Sequence, residues 1–159
     1  ILKAQSVNLP IAMVPLVLVL MNVVYAASAY PAGVIADRVG RMGVLAIGTA
    51  LLVAADVVLA FSASIWPVLA GVAFWGLHMG LTQGLLATLV ADTAPVDLRG
   101  TAFGVFNFTI GIAMLAASVI AGSLWDVFGP AATFLAGAAF TTVALAGFLI
   151  AAPGRKVRS

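Results

Sequence analysis

Gly33-Val34-Ile35-Ala36-Asp37-Arg38-Val39-Gly40-Arg41 reads as a short charged turn between two segments that are too apolar and too long for ordinary soluble helices. A reduced copy, Gly122-Ser123-Leu124-Trp125-Asp126-Val127-Phe128-Gly129, repeats the glycine, aspartate and glycine about 89 positions later. That offset is long enough for three membrane spans. Three is odd, so two helices joined on one side of a membrane in the first copy are joined on the other side in the second, giving inverted repeats. Arg38 and Arg41 belong to the first copy, whereas Val127 and Pro130 stand in the second. This is the distribution expected if only the first turn faces the cytoplasm.

Composition identifies the solvent. With 64% hydrophobic residues, 8% charged residues and a mean hydropathy of +1.24, a chain of this size cannot hide its apolar side chains in one soluble core. The net charge of +2 is small and the basic residues lie in loops, so no nucleic-acid surface is expected. The absence of cysteine removes any disulfide framework or thiolate metal site. The chain starts at Ile1, and residues 1–8 do not have the charged start of a signal peptide, so the sequence reads as a fragment.

Runs of about 20 apolar residues mark the membrane spans, because a helix needs that length to cross the hydrocarbon. Five such runs cover residues 10–33, 43–63, 66–91, 101–124 and 131–152, followed by a basic tail at 153–159. Pro67 and Pro130 sit near helix starts, where a missing N–H is harmless, and the deeper Pro15 is expected to bend the first span. Trp66 and Trp125 fall on one face of the membrane and suit an interfacial belt, while Trp75 suits packing. Arg38, Arg41, Arg99, Arg155, Lys156 and Arg158 all fall on one side and only Lys3 on the other. The positive-inside rule therefore puts the C-terminus in the cytoplasm. Residues 1–9 then read as the outer end of a preceding helix.

Five spans, a G-x-x-x-D-R-x-G-R turn after the first, an acid and an Arg-Gly pair in the next cytoplasmic loop and a basic tail together resemble helices eight to twelve of a major facilitator superfamily transporter. The resemblance covers nearly the whole chain. Gly33, Asp37, Arg38, Gly40 and Arg41 match the family's loop motif residue by residue, and Met42 and Gly43 replace further basic residues often found there. The resemblance implies twelve spans in two bundles, a central cavity and alternating access, with this chain supplying most of the second bundle. The expected fold is therefore an all-α membrane protein, five helices of a six-helix bundle built from inverted three-helix repeats.

The residues of the turn suggest a latch. Gly33 and Gly40 permit backbone geometries and close approaches that a Cβ hinders, and Asp37 can accept hydrogen bonds from a nearby helix N-terminus. Arg38 and Arg41 can reach Asp92 and Asp97 in the loop that joins the third and fourth spans. In that loop Pro95 ends one helix, Asp97 is placed to cap the next, and Arg99 is its first cation. The resemblance implies that such a cluster holds the cytoplasmic side closed and breaks when the bundles rock. The plainer alternative is that Asp37 only caps a helix and the arginines only set topology.

Polar residues inside the spans carry the remaining information, because each costs a few kcal/mol unless it faces protein or water. Asn22, Asp56, His78, Gln83 and Asn107 lie well inside their spans. On the third span Gly76, Gly80, Gln83 and Ala87 share one face, and Gly71, Trp75, His78 and Thr82 another. Gly104, Asn107, Gly111, Ser118 and Gly122 form a similar small-residue face on the fourth, expected to pack closely against a neighbour. Asn22, Gln83 and Asn107 can be interhelical glue or can line a substrate cavity, and the resemblance favours the cavity. Asp56 and His78 are the intramembrane groups able to exchange a proton near neutral pH. Their similar depth on consecutive spans lets them meet, although the resemblance places Asp56 on a peripheral helix, where a structural role fits equally well.

These readings converge on transport of a small solute across a bacterial inner membrane, with no cofactor and no metal, and with export coupled to proton entry as the leading mechanism. The missing N-terminal bundle, the solute, protons and the lipid bilayer are the expected partners. The competing class is a multi-pass membrane protein that does not transport, either an assembly partner or an intramembrane enzyme. An enzyme needs clustered ligands or a nucleophile with its base, and one aspartate and one histidine supply neither.

Overall fold

The computed structural model describes Lys3 and residues 11–151. After a 3-10 turn at Ile11–Met13 the chain forms α1 (Val14–Val39), α2 (Arg41–Phe61), α3 (Ile65–Thr93), a second 3-10 turn at Val96–Leu98 and α4 (Arg99–Ala151). All four helices are long and apolar enough to cross a membrane. As one rod, α4 would run about 80 Å, more than twice the thickness of a hydrocarbon core. It breaks instead at Gly129, whose φ of 81 and ψ of −179 are not helical, into limbs α4a (99–128) and α4b (130–151). The limbs fold back on each other: Thr133 Oγ1 donates to the carbonyl of Ala121 at 3.4 Å, and Trp125 meets Phe134 edge to face with centroids 6.3 Å apart. The fold is an all-α membrane architecture without strands among the described residues.

Both halves of the repeat turn on a glycine in the same conformational region. Gly40 (φ 96) and Gly129 (φ 81) are the glycines with positive φ among the described residues, and they are the final glycines of the two copies. A β-carbon is disfavoured at each, so the tightest reversal of each pair falls where only glycine is comfortable.

The turns themselves are shorter than expected. The charged stretch 33–39 is not a loop, because α1 continues to Val39 and the amide of Gly40 closes its last turn onto the carbonyl of Ala36 at 3.0 Å. Asp37 and Arg38 need only exposure, and the last turn of a helix gives them that without unwinding; Arg38 also suits the negative end of the helix dipole. In the second copy the helix likewise runs to residue 128. Pro15 does not bend the first span, since it stands in the first turn of α1. Pro10 and the tail cations Arg155, Lys156 and Arg158 lie outside the described residues.

Helix α3 is the wedge of the bundle. One face meets α1, where an ideal Cβ at Gly76 would lie 2.6 Å from the carbonyl oxygen of Met21 and one at Gly80 would collide with Ser28. The other meets α2, where a Cβ at Gly71 would lie 2.6 Å from Leu59. Helix α2 reciprocates at Gly48, whose added Cβ would sit 2.7 Å from Thr82. In a lipid solvent helix association depends on close van der Waals contact, and these small residues allow it. Two apolar clusters complete the packing. Ala32, Ala36, Val44, Leu45 and Leu85 fill the end near the Gly40 turn, and Val17, Leu59 and Val68 fill the opposite end. Trp66, 77% exposed, is free to take an interfacial position.

Candidate functional site

Four chain segments converge beside Gly40: the end of α1, the start of α2, the end of α3 and the start of α4. Because Gly40 reverses the chain in one residue, Arg41 begins α2 next to the last turn of α3. Its Nη1 donates to Oδ2 of Asp92 in an ion pair. Asp37 is close enough to add to the negative field at Arg41. The Arg99 Nε donates to the carbonyl of Ala91 at 3.1 Å, satisfying an orphan carbonyl at the end of α3 and tying the start of α4 to it. The Arg41 and Asp92 side chains are 35% and 58% exposed, so water and salt screen their attraction. The pair is a brace within one bundle and breaks easily.

The other members of the expected latch stay apart. Asp37, Arg38 and Asp97 are exposed and form no ion pair among the described residues. Asp37 does not cap α2, whose N-terminus has no side-chain cap, and Asp97 lies inside the 3-10 turn rather than capping α4. An acid at a helix end faces solvent more cheaply than it bends back across a one-residue turn. Gly33 is helical, and a Cβ added to it meets nothing within 4 Å. Among the described residues, neither its backbone nor its packing calls for glycine.

Inside the spans the pattern differs from the depth-based expectation for Asp56 and His78. The His78 Nδ1 lies 2.8 Å from the carbonyl oxygen of Gly48. A carbonyl only accepts, so Nδ1 carries the proton and Nε2 is left as the acceptor. Asp56 is 6% exposed and points away from this bond, with Oδ2 at 2.8 Å from the position a Cβ would take on Gly137 of α4b. Gly48 and Asp56 are eight residues apart on α2, about 12 Å along the axis. The two groups therefore do not meet: His78 lies level with Gly48, about two helical turns from Asp56, and Asp56 faces Gly137 instead. Asp56 makes no hydrogen bond or ion pair among the described residues and lines a cavity of about 650 Å³ with Leu52, Trp75, Ala117, Thr133 and Phe140.

Asn22, Gln83 and Asn107 are all exposed. Asn22 Nδ2 donates back to the carbonyl of Leu18 at 2.8 Å, and the two others bond no other helix among the described residues. They do not act as interhelical glue among the described residues. Among the described residues the small-residue face of α4a is also unpacked, since Cβ atoms added at Gly104, Gly111 and Gly122 would meet nothing within 4 Å. Gly48 and Gly137 are separated by the same offset as the matched glycines and aspartate of the two copies, so the sequence carries a detectable signal for them. His/Cys/Asp/Glu groups able to hold a metal are absent among the described residues.

Comparison with known proteins agrees with this architecture. The family model of the Major Facilitator Superfamily matches residues 1–159. An uncharacterized MFS-type transporter of Methanocaldococcus jannaschii is 32% identical over 141 residues, covering 89% of this chain and 34% of that protein. An uncharacterized MFS-type transporter of Bacillus subtilis is 30% identical over 119 residues, covering 74% and 28% respectively. A major facilitator-type transporter of Aspergillus rugulosus is 36% identical over 84 residues, covering 53% and 16%. The chain thus spans about a third or less of the length of these relatives. From the full-length family match, the helical membrane fold and the paired glycine turns, the chain belongs to the major facilitator superfamily.

Proposed function

We propose that this chain forms helices eight to twelve of a secondary transporter, five spans of a C-terminal bundle that carries a small solute across a bacterial inner membrane by alternating access. The observation that carries the proposal is the uneven charge of two equivalent turns. Gly40 and Gly129 each break the helix at a positive φ, yet only the Gly40 turn carries cations. The positive-inside rule sets that turn in the cytoplasm and, with the tail, the C-terminus as well. There Arg41–Asp92 braces the bundle internally, and Asp37 and Arg38 remain free to engage the other bundle when the cytoplasmic side closes. Exposed charge pairs suit that task, because each state must be left as readily as it is entered. Asn22, Gln83 and Asn107, exposed on three different helices, line the solute path. Asp56 is the proton-exchanging group, and proton entry drives solute efflux. No cofactor takes part.

The test uses the full-length protein with a single cysteine in place of Asn107. Asp37→Asn or Arg38→Ala weakens the cytoplasmic closure, so labelling of that cysteine from the cytoplasmic side rises and labelling from outside falls. Unchanged labelling from both sides in both variants would contradict the latch, and a cysteine at 107 that no aqueous reagent reaches from either side would contradict the cavity.

A further inference from the structure

We infer that the proton of Asp56 is loaded from the Gly129 face of the bundle, along α4b, and that Thr133 is the positioning residue that holds the water bridging to the carboxylate. The inference rests on the reading of Asp56 as the proton-exchanging group and names the route to it.

Depth decides the side. Asp56 stands five residues before Phe61, the last residue of α2, and 15 after Arg41, the first. At about 1.5 Å per residue it is about 8 Å from one end of the helix and about 22 Å from the other. The near end is the Gly129 end, because α2 starts at the Gly40 turn and Leu59 packs at the opposite end with Val17, Val68 and Phe134 of α4b. Gly137, which the carboxylate faces, agrees: it lies eight residues beyond Gly129, about 12 Å along α4b.

Polarity decides the path. The cavity that Asp56 lines also takes in Thr133, Gly137 and Thr141 of α4b. These recur every four residues and share one face of the helix, with Thr133 one turn on the Gly129 side of the carboxylate and Thr141 one turn on the Gly40 side. The Thr133 hydroxyl reaches the carbonyls of Gly129 and Ala121 at 3.3 and 3.4 Å, and a hydroxyl that donates still accepts from water. One turn of about 6 Å is the span of a single bridging water. Towards the Gly40 face the seam is apolar instead: Leu52 is followed by the cluster of Val44, Leu45 and Leu85, with Phe148 of α4b packed on it, and such a surface holds no water. Among the described residues α3, α4a and α4b put no titratable side chain into the Asp56 cavity. His78 is held at Gly48, two turns towards the Gly40 face, and Lys3 lines an adjoining cavity that shares Trp75 and Phe134. The loading step moves one proton from water at the Gly129 face through the bridging water to a carboxylate oxygen, which becomes a neutral carboxyl group.

The test is a pH jump on one face of proteoliposomes that hold the full-length protein, read by the carboxyl infrared band that Asp56→Asn lacks, with labelling of Phe128→Cys to mark the Gly129 face. The band should follow a jump on the Gly129 face. Thr133→Val should slow that response about tenfold, the equivalent of one lost hydrogen bond. Thr133→Ser should restore the rate, and Thr141→Val should leave it unchanged. A faster response from the Gly40 face, a normal rate in Thr133→Val, or slowing in Thr141→Val instead would overturn the route. A small water-soluble thiosulfonate should modify Asp56→Cys from the Gly129 face and not from the Gly40 face; the reverse would overturn the route even if Thr133→Val fails to fold. Survival of every pH-sensitive carboxyl band in Asp56→Asn would remove the proton-site reading itself, an outcome distinct from a misplaced route.

Discussion

Replacing Gly76 by alanine isolates what close packing contributes to this bundle. The new β-carbon would lie 2.6 Å from the backbone oxygen of Met21 and 3.1 Å from Cβ of Val24. A backbone atom on a continuous helix has no rotamer to escape through, so α1 and α3 must separate or shift. Overpacking of this kind costs about 1–3 kcal/mol. Alanine also favours a helix over glycine by about 0.8–1.0 kcal/mol, so the net loss falls below the packing term alone. Gly84 on the same helix and Gly147 on α4b are the controls, because a Cβ at either meets nothing within 4 Å and receives the propensity gain unopposed. Equilibrium unfolding of the full-length protein in detergent, read by tryptophan fluorescence, should place Gly76→Ala about 1–3 kcal/mol below Gly84→Ala and Gly147→Ala. Equal stability of the three variants would refute the claim that α3 is held by close approach at its glycines.

Three further outcomes follow from the site geometry. Charge reversal at Arg41 or at Asp92 alone should lower the temperature of unfolding slightly, and the double reversal Arg41→Asp with Asp92→Arg should recover it at low salt but not near 1 M, where the Debye length is about 3 Å; unchanged recovery at high salt would contradict a screened pair. Because Asp56 and His78 face different neighbours, losses of folded protein in Asp56→Asn and His78→Gln should add in the double variant, and a clear departure from additivity in quantitative membrane expression would mean that the two groups touch. His78→Phe leaves the Gly48 carbonyl without its side-chain donor and should cost about 0.5–1.5 kcal/mol in the same unfolding assay; no loss would show that the bond is not formed in the membrane.

The sequence was most informative where a single physical quantity decides the answer. Hydrocarbon thickness made the apolar runs legible. The matched glycines anticipated both reversals, including the break at Gly129 that divides a 53-residue helix. The Arg41–Asp92 pair was also legible, because both residues stand at helix ends beside short connections at the same end of the bundle. The axial offset of neighbouring helices was not legible. Counting residues put Asp56 and His78 level, whereas His78 sits against Gly48, about two turns from Asp56, and Asp56 faces Gly137. The length of the Gly33–Arg41 turn is not legible from charge, because a last helical turn exposes Asp37 and Arg38 just as well as a loop does. The faces of Asn107, Gly104 and Gly111 stayed ambiguous for a different reason: whatever covers them is not among the described residues.

Inversion of the two repeats would put the Gly40 and Gly129 turns on opposite faces of the membrane, and labelling at one equivalent pair of positions tests it most directly. Val39 precedes Gly40 and Phe128 precedes Gly129, and the two side chains are 69% and 70% exposed. In the full-length protein in intact cells, an impermeant thiol reagent should label Phe128→Cys and leave Val39→Cys unmodified until the membrane is opened. Labelling of both from the outside, or of neither, would place the two turns on one face and contradict the inverted bundle.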